Sequence, residues 1–181
     1  MILSDSELVE MLREPRTRRE GFAVLVKQYS EKLYWKVRRI VLSHEDANDV
    51  LQNVFIKVWS NLQNFQGKSS LSTWLYRIAV NESLDFLKKQ KLADKVSTDE
   101  DDSVASRLMS DEYFDGDEVQ TRLQEAVARL PEVQRTVFNL KYFEEMKYSE
   151  ISQILNTSEG ALKASYHLAV KKITEYLKRF N

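Results

Sequence analysis

The chain has 181 residues, 43% of them hydrophobic and 30% charged, with a formal net charge of −1. That length suits one modest domain or two small ones, and the apolar share is too high for a disordered chain. Cysteine is absent, and the two histidines, His44 and His167, lie far apart with no ligand spacing around them. Disulfides, thiolate metal sites and a resident metal or other cofactor are therefore not expected, and a cytoplasmic setting fits.

Glycine (4) and proline (2) are scarce and β-branched alternation is missing, so helix is the expected element. No apolar run approaches the ~20 residues of a membrane helix. MILSDSELVEML carries acids where a signal peptide has a basic segment, so it is not read as one. The small net charge hides a division along the chain. Residues 1–93 hold 15 basic and 11 acidic side chains, residues 94–118 hold two and ten, and residues 119–181 hold ten and seven. Two mildly basic blocks thus flank a strongly acidic segment, and for binding a polyanion the local sums matter most.

Ser4 and Glu7 have capping-box spacing for a first helix with Leu8, Met11 and Leu12 on its apolar side, ended by Pro15. A second helix is expected from about Arg19 to Leu42, burying Phe22, Leu25, Val26, Tyr29, Leu33, Val37, Ile40 and Val41. Ser43 can cap a third, whose stripe is Val50, Val54, Val58 and Leu62, with Phe55 and Trp59 beside it. Asp46, Asp49, Gln52, Asn53 and Lys57 fall on its other side. After the break Asn64–Ser70, a fourth helix runs to about Gln90, with Leu71, Leu75, Ile78, Asn81, Leu84 and Leu87 as its inner face. Trp74, Arg77 and Lys88 point elsewhere. Four such helices can share one core.

Periodicity fades from Asp94 to Glu118, where DEDDS cannot bury enough surface to offset its ordering entropy. A flexible linker is expected there, with one helical turn near Val104–Met109. The second block is helical again. Val119, Leu123, Ala126, Val127 and Leu130 form one face, and Pro131 opens a helix at its first position, carrying Val133, Val137, Leu140 and Phe143. Tyr148–Leu155 is a short helix. Asn156 supplies a left-handed turn, and Ser158 caps a last helix from Glu159 to about Phe180. Leu162, Tyr166, Ala169, Ile173 and Leu177 face inward on it.

A short helix, a three-residue turn and a longer helix with outward lysines make a helix-turn-helix, which sets the second helix into the major groove. Ser158, Gly160, Lys163, Ala164 and His167 would then face base edges or flanking phosphates, with Lys171 farther along. An ordinary helical hairpin with solvated lysines has the same spacing. Phe65, Gly67, Lys68 and Ser69, next to Trp74, Arg77 and Asn81, can instead hold unstacked bases by stacking and amide contacts. Core aromatics at Trp74 and Tyr76 are the competing reading. The Asp46–Lys57 polar face can be a plain solvated exterior. No nucleophile–base pair, glycine-rich phosphate loop or metal spacing occurs, so no enzymatic activity and no small-molecule ligand are expected.

Three segments together resemble a bacterial sigma factor of the extracytoplasmic-function (ECF) group in the sigma-70 family. They are DANDVLQNVF from Asp46, STWLYRIAVN from Ser72, and LPEVQR from Leu130 leading into YSEI at Tyr148. The resemblance covers nearly the whole chain. It implies an all-α protein of two small helical domains: a region 2 bundle in residues 1–92 and a region 4 helix-turn-helix in 119–181. Residues 93–118 are the acidic flexible linker between them.

In the family, the helix matching Asp46, Asp49, Gln52, Asn53 and Lys57 docks on the β′ clamp helices of core RNA polymerase. The stretch matching Phe65, Gly67, Lys68, Ser69, Trp74, Arg77, Asn81 and Lys88 captures non-template bases of the −10 element. The helix matching Ser158, Glu159, Gly160, Lys163, Ala164, Ser165, His167 and Lys171 reads the −35 element, and region 4 also rests on the β flap. The linker would thread the polymerase cleft, and an anti-sigma factor, often membrane-linked, is the expected regulator.

The chain departs from the family pattern at Asn53 (often Glu), at Asn156 (usually Gly), and at Ser165, Leu168 and Val170 (often Arg). The last three leave fewer phosphate anchors. A sigma-like decoy that binds an anti-sigma factor without DNA is the alternative. The basic charge retained around TWLYR and LKASYHLAVKK speaks against it.

Overall fold

The structure, a computed structural model, describes residues 2–93 and 118–180. The expected linker and its turn at Val104–Met109 lie outside the described residues, apart from residues 93 and 118. Every regular element among the described residues is helical. They form two compact units, one of Met1–Val41 with Glu45–Gln90, the other of Lys91–Asn181 with Leu42–His44.

In the first unit, α1 (Asp5–Arg13) starts with the capping box its sequence encodes. Ser4 Oγ accepts from the Glu7 amide at 3.3 Å, and the Glu7 carboxylate accepts from the Ser4 amide at 2.8 Å. Those Ser4 hydrogen bonds hold the Glu7 carboxyl below its ordinary range. At the other end the carbonyls of Met11, Leu12 and Arg13 accept from Thr17 Oγ1 (3.0 Å), Arg18 Nε (3.0 Å) and Arg18 Nη2 (3.2 Å). Side chains of the following turn thus satisfy a helix end that has no partners of its own.

Helix α2 (Arg18–Val41) buries Leu25, Tyr29, Leu33 and Val37, one every fourth residue. Tyr29 donates to Asp5 at 2.5 Å, and Gln28 brackets the Leu3 backbone at 2.9 and 3.1 Å, which pins the N-terminal segment to α2. The two helices approach so closely at Gly21 that a Cβ there would sit 2.8 Å from Met11 Cβ.

Helix α3 (His44–Asn61) buries Ala47, Val50, Val54 and Val58 and ends in a 3-10 turn, Leu62–Asn64, that buries Leu62. Each fully buried valine contributes up to about 1.5–3 kcal/mol of transfer free energy. Helix α4 (Leu71–Ala93) buries Leu71, Leu75, Ala79, Val80, Ser83 and Leu87. This corrects the expected inner face at one position: Asn81 is exposed. Small Ala79 and Ser83 take the inward places instead, and Ser83 satisfies its hydroxyl on the Ala79 carbonyl at 2.8 Å.

The second unit runs α5 (Glu118–Ala128), α6 (Glu132–Phe138), a π-helical turn (Asn139–Phe143), α7 (Tyr148–Leu155) and α8 (Glu159–Leu177), which tightens to a 3-10 turn at Lys178–Phe180. Ala126, Val127, Leu130, Phe138, Ala169 and Ile173 make its core, with Leu123, Phe143, Tyr166, Tyr176 and Leu177 packed around them. Buried Arg135 donates to the carbonyls of Ala128 (3.3 Å) and Leu130 (3.2 Å), serving the C-terminus of α5.

Three expectations are corrected in this unit. Val119 and Val133 are 75% and 62% exposed, so neither belongs to the core. Pro131 precedes the helix at φ −53° and ψ 145° and is its cap, not its first residue. The expected continuous helix through Phe143 is interrupted by the π turn, in which the Glu144 amide reaches back five residues to the Asn139 carbonyl at 3.2 Å. Phe138 stacks on Tyr142 (5.0 Å) and Tyr166 (5.8 Å) and meets the edge of Phe143 (6.0 Å).

Candidate nucleic-acid and partner surfaces

On α3 the side away from the valines presents Asp49, Gln52 and Asn53, all exposed, while exposed Lys57 and partly buried Asp46 flank the valine stripe. Lys57 forms an ion pair with Glu82 of α4, so it also ties the two helices. Sequence reasoning passed over Ile56. It is 58% exposed and lies in the middle of this polar stripe, three residues from Asn53 and four from Gln52. Trp59, expected beside the core stripe, packs edge-on against Phe22 at 4.9 Å yet stays 42% exposed. An apolar centre ringed by polar side chains is the anatomy of a protein interface. An apolar residue at helical spacing within a charged stripe was the available signal.

The loop between α3 and α4 and the outer stripe of α4 gather most of the second candidate set. Phe65 packs on Trp74 with ring centroids 5.1 Å apart and planes at 49°, both partly buried. Gly67 adopts φ +71°, where a side chain would be strained, and Lys68 beside it is exposed. Ser69 is partly buried. Ser70 caps α4 by accepting from the Thr73 amide at 3.1 Å.

Trp74, Arg77, Asn81 and Lys88 recur at steps of three, four and seven and so share one stripe of α4. Arg77 is partly buried, while Asn81 and Lys88 are exposed. Lys88 lies about 21 Å along the axis from Trp74, too far to join the same pocket. Exposed Asp85 stands between Asn81 and Lys88 and sets a negative charge there. Tyr76 faces α2 instead, with Lys36 Nζ 3.9 Å from its ring centroid. Burial first, then the like charges of Arg39 and Lys32, push Lys36 down to about 8.

In the second unit, α7 ends at Asn156 in the left-handed conformation (φ 50°, ψ 46°), as its sequence predicts. Ser158 Oγ accepts from the Ala161 amide at 3.3 Å and starts α8. Its hydroxyl is thus engaged in the fold. Buried Ile151 and Leu162 pack the short helix and the long one.

Ser158, Glu159, Gly160, Lys163, Ala164, His167 and Lys171 are exposed, and Ser165 is partly buried. A Cβ on Gly160 would meet nothing within 4 Å, so the first turn of α8 is open to a groove. Lys163 lies 5.6 Å from the Tyr148 ring centroid. Leu168 and Val170 are exposed (46% and 39%). Among the described residues no three His, Asp or Glu side chains come together as a metal site, and no helix is long and apolar enough to cross a membrane.

Comparison with known proteins places these surfaces within matched segments. The family model Sigma-70 region 2 matches residues 25–93, and Sigma-70, region 4 matches residues 120–173. The chain is 31% identical over 168 residues to the ECF RNA polymerase sigma factor SigW of Bacillus subtilis, covering 88% of this chain and 90% of that protein. It is 31% identical over 172 residues to the ECF RNA polymerase sigma-E factor of Escherichia coli K12, covering 90% and 88%. Among solved structures it is similar in fold to the sigma factor RpoE of Bartonella quintana, determined with the anti-sigma factor NepR (TM-score 0.68, 21% identity, 88% of this chain and 98% of that one). It is also similar to CnrH in complex with the cytosolic domain of CnrY (TM-score 0.63, 19% identity, 98% and 96%).

Proposed function

The chain belongs to the ECF sigma factors of the sigma-70 family, which bind core RNA polymerase and promoter DNA, and we propose that its two units divide promoter recognition between them. Residues 1–92 are region 2. The α3 stripe Asp46, Asp49, Gln52, Asn53 and Lys57 docks on the β′ clamp helices, with Ile56 as its apolar centre. Phe65, Gly67, Lys68, Ser69, Trp74, Arg77 and Asn81 hold non-template bases of the −10 element, and Lys88 meets a more distant phosphate.

Residues 119–181 are region 4. Ser158, Glu159, Gly160, Lys163, Ala164, Ser165, His167 and Lys171 line the helix that enters the −35 major groove, and the unit rests on the β flap. Residues 93–118 join the two modules. The protein works in the cytoplasm, carries out no catalysis of its own, and answers to an anti-sigma factor.

One observation supports this most directly. Phe65 and Trp74 are paired at 5.1 Å beside a glycine at φ +71°, with Arg77 and Asn81 on the same α4 stripe. A base taken out of its stack gains from an aromatic face that is already ordered, and the Phe65–Trp74 pair offers one. Run-off transcription with purified core polymerase tests the reading. Asp49→Arg is expected to lose core binding, and Arg77→Ala to keep core binding and lose initiation. Initiation at native levels by both variants would overturn it.

A further inference from the structure

We propose that Arg13 is a further DNA-contacting residue of the first unit, a cation set beside the Phe65–Ser70 loop to hold a backbone phosphate of the displaced strand. This rests on the reading of the α4 surface above. Arg13 is the last residue of α1, far in sequence from the loop, and it falls outside the residues that the region 2 model matches. The fold nevertheless brings its Nη2 to 3.6 Å from the position a Gly67 Cβ would occupy. The packing of α1 against the Leu62–Asn64 turn fixes that approach.

Among the described residues the guanidinium has no hydrogen-bond or ion-pair partner. The carbonyls at the end of α1 are served by Thr17 and Arg18, and the backbone oxygen of Arg13 itself accepts from Arg18. Arg13 is exposed, and no carboxylate among the described residues pairs with it. What it faces suits a nucleic-acid backbone. Gly67 offers bare main chain at φ +71°, so a strand approaching the loop there meets the Arg13 guanidinium and no side chain of Gly67 itself.

Lys68 supplies a second exposed cation, and the Phe65–Trp74 pair supplies the surface for the base. A base captured on that pair brings its flanking phosphates to the same rim. A planar guanidinium donates two parallel hydrogen bonds to a phosphate, which the point charge of lysine cannot do.

The test uses holoenzyme assembled from core polymerase and the full-length chain. The probe is a short fluorescent single strand from the non-template −10 segment of a promoter this holoenzyme transcribes. Arg13→Ala is expected to weaken the strand about three- to tenfold and to lower the salt slope by about 0.7, one phosphate contact on a single strand. Arg13→Glu should weaken it further, and Arg13→Lys should recover the salt slope with only part of the affinity.

Core affinity and thermal midpoint should be unchanged in all three. Native affinity and slope in Arg13→Ala, or a loss explained by core binding or unfolding, would overturn the assignment. Arg77→Ala run beside them separates the two readings. If it weakens the strand while Arg13→Ala does not, only Arg13 is wrongly assigned; if neither matters, the α4 surface is not the strand's path and both fall.

Discussion

The two candidate DNA surfaces of this chain are built on opposite plans. In the first unit the contact residues are partly packed: Phe65 leans on Trp74, and Arg77 is partly buried. In the second unit the outer face of α8 is nearly all solvent-exposed. It includes Glu159 and the apolar Leu168 and Val170, with Lys163, Lys171 and Lys172 as its cations. A surface that must hold a base out of its stack benefits from side chains ordered in advance, because unpairing already costs a few kcal/mol. A helix entering an intact groove needs less: a regular cylinder of the right width and a few charges for register.

This contrast can be broken by experiment, and the largest expected effect lies at the packed surface. Trp74→Ala removes a stacking platform and the packing partner of Phe65. Holoenzyme carrying it should bind the −10 strand about 10- to 100-fold more weakly, measured by fluorescence anisotropy, and should also show a lower thermal midpoint.

At the solvated surface a single change should matter less. Lys163→Ala is expected to weaken −35 duplex binding a few-fold and to reduce the salt slope by about 0.9, without touching stability beyond its contact with Tyr148. A loss as large as that of Trp74→Ala would erase the distinction between the two plans.

Gly160→Ala sharpens it further. Nothing lies within 4 Å of the added methyl, so the free protein should gain about 0.5–1 kcal/mol in denaturant unfolding. Duplex binding should weaken if the bare first turn is what approaches the groove.

A last effect is electrostatic and shows itself only as a pH dependence. Folding lowers Lys36 from its ordinary 10.5 to about 8, so the folded unit loses that proton before the unfolded chain does. Its contribution is therefore unfavourable below about pH 8 and is relieved as the pH rises toward 10.5. The native protein should gain stability across that window relative to Lys36→Met.

Local signals carried much of the outcome. The Ser4–Glu7 capping box, the Val50/Val54/Val58 stripe, the bounds of the Tyr148–Leu155 helix and the left-handed Asn156 all follow from rules acting within a turn or two of the chain. The similarity to the sigma-70 family was legible in the same way, from short segments in order. Other outcomes were not read from spacing. Asn81 sits outside, on the stripe of Trp74 and Arg77, and Ala79 and Ser83 hold the inward places. The chain widens into a π turn at Asn139, next to the ring cluster of Phe138, Tyr142, Phe143 and Tyr166.

By itself, then, the sequence determined most of the helices, the caps at Ser4 and Ser158, the polar stripe of α3 and the extent of α8, since each depends on spacing along one stretch of chain. Tertiary structure alone decided that Lys57 is claimed by Glu82 and that Arg13 arrives beside Gly67. Burial and proximity are properties of packed surfaces, and a periodic pattern names a helical face without naming what covers it.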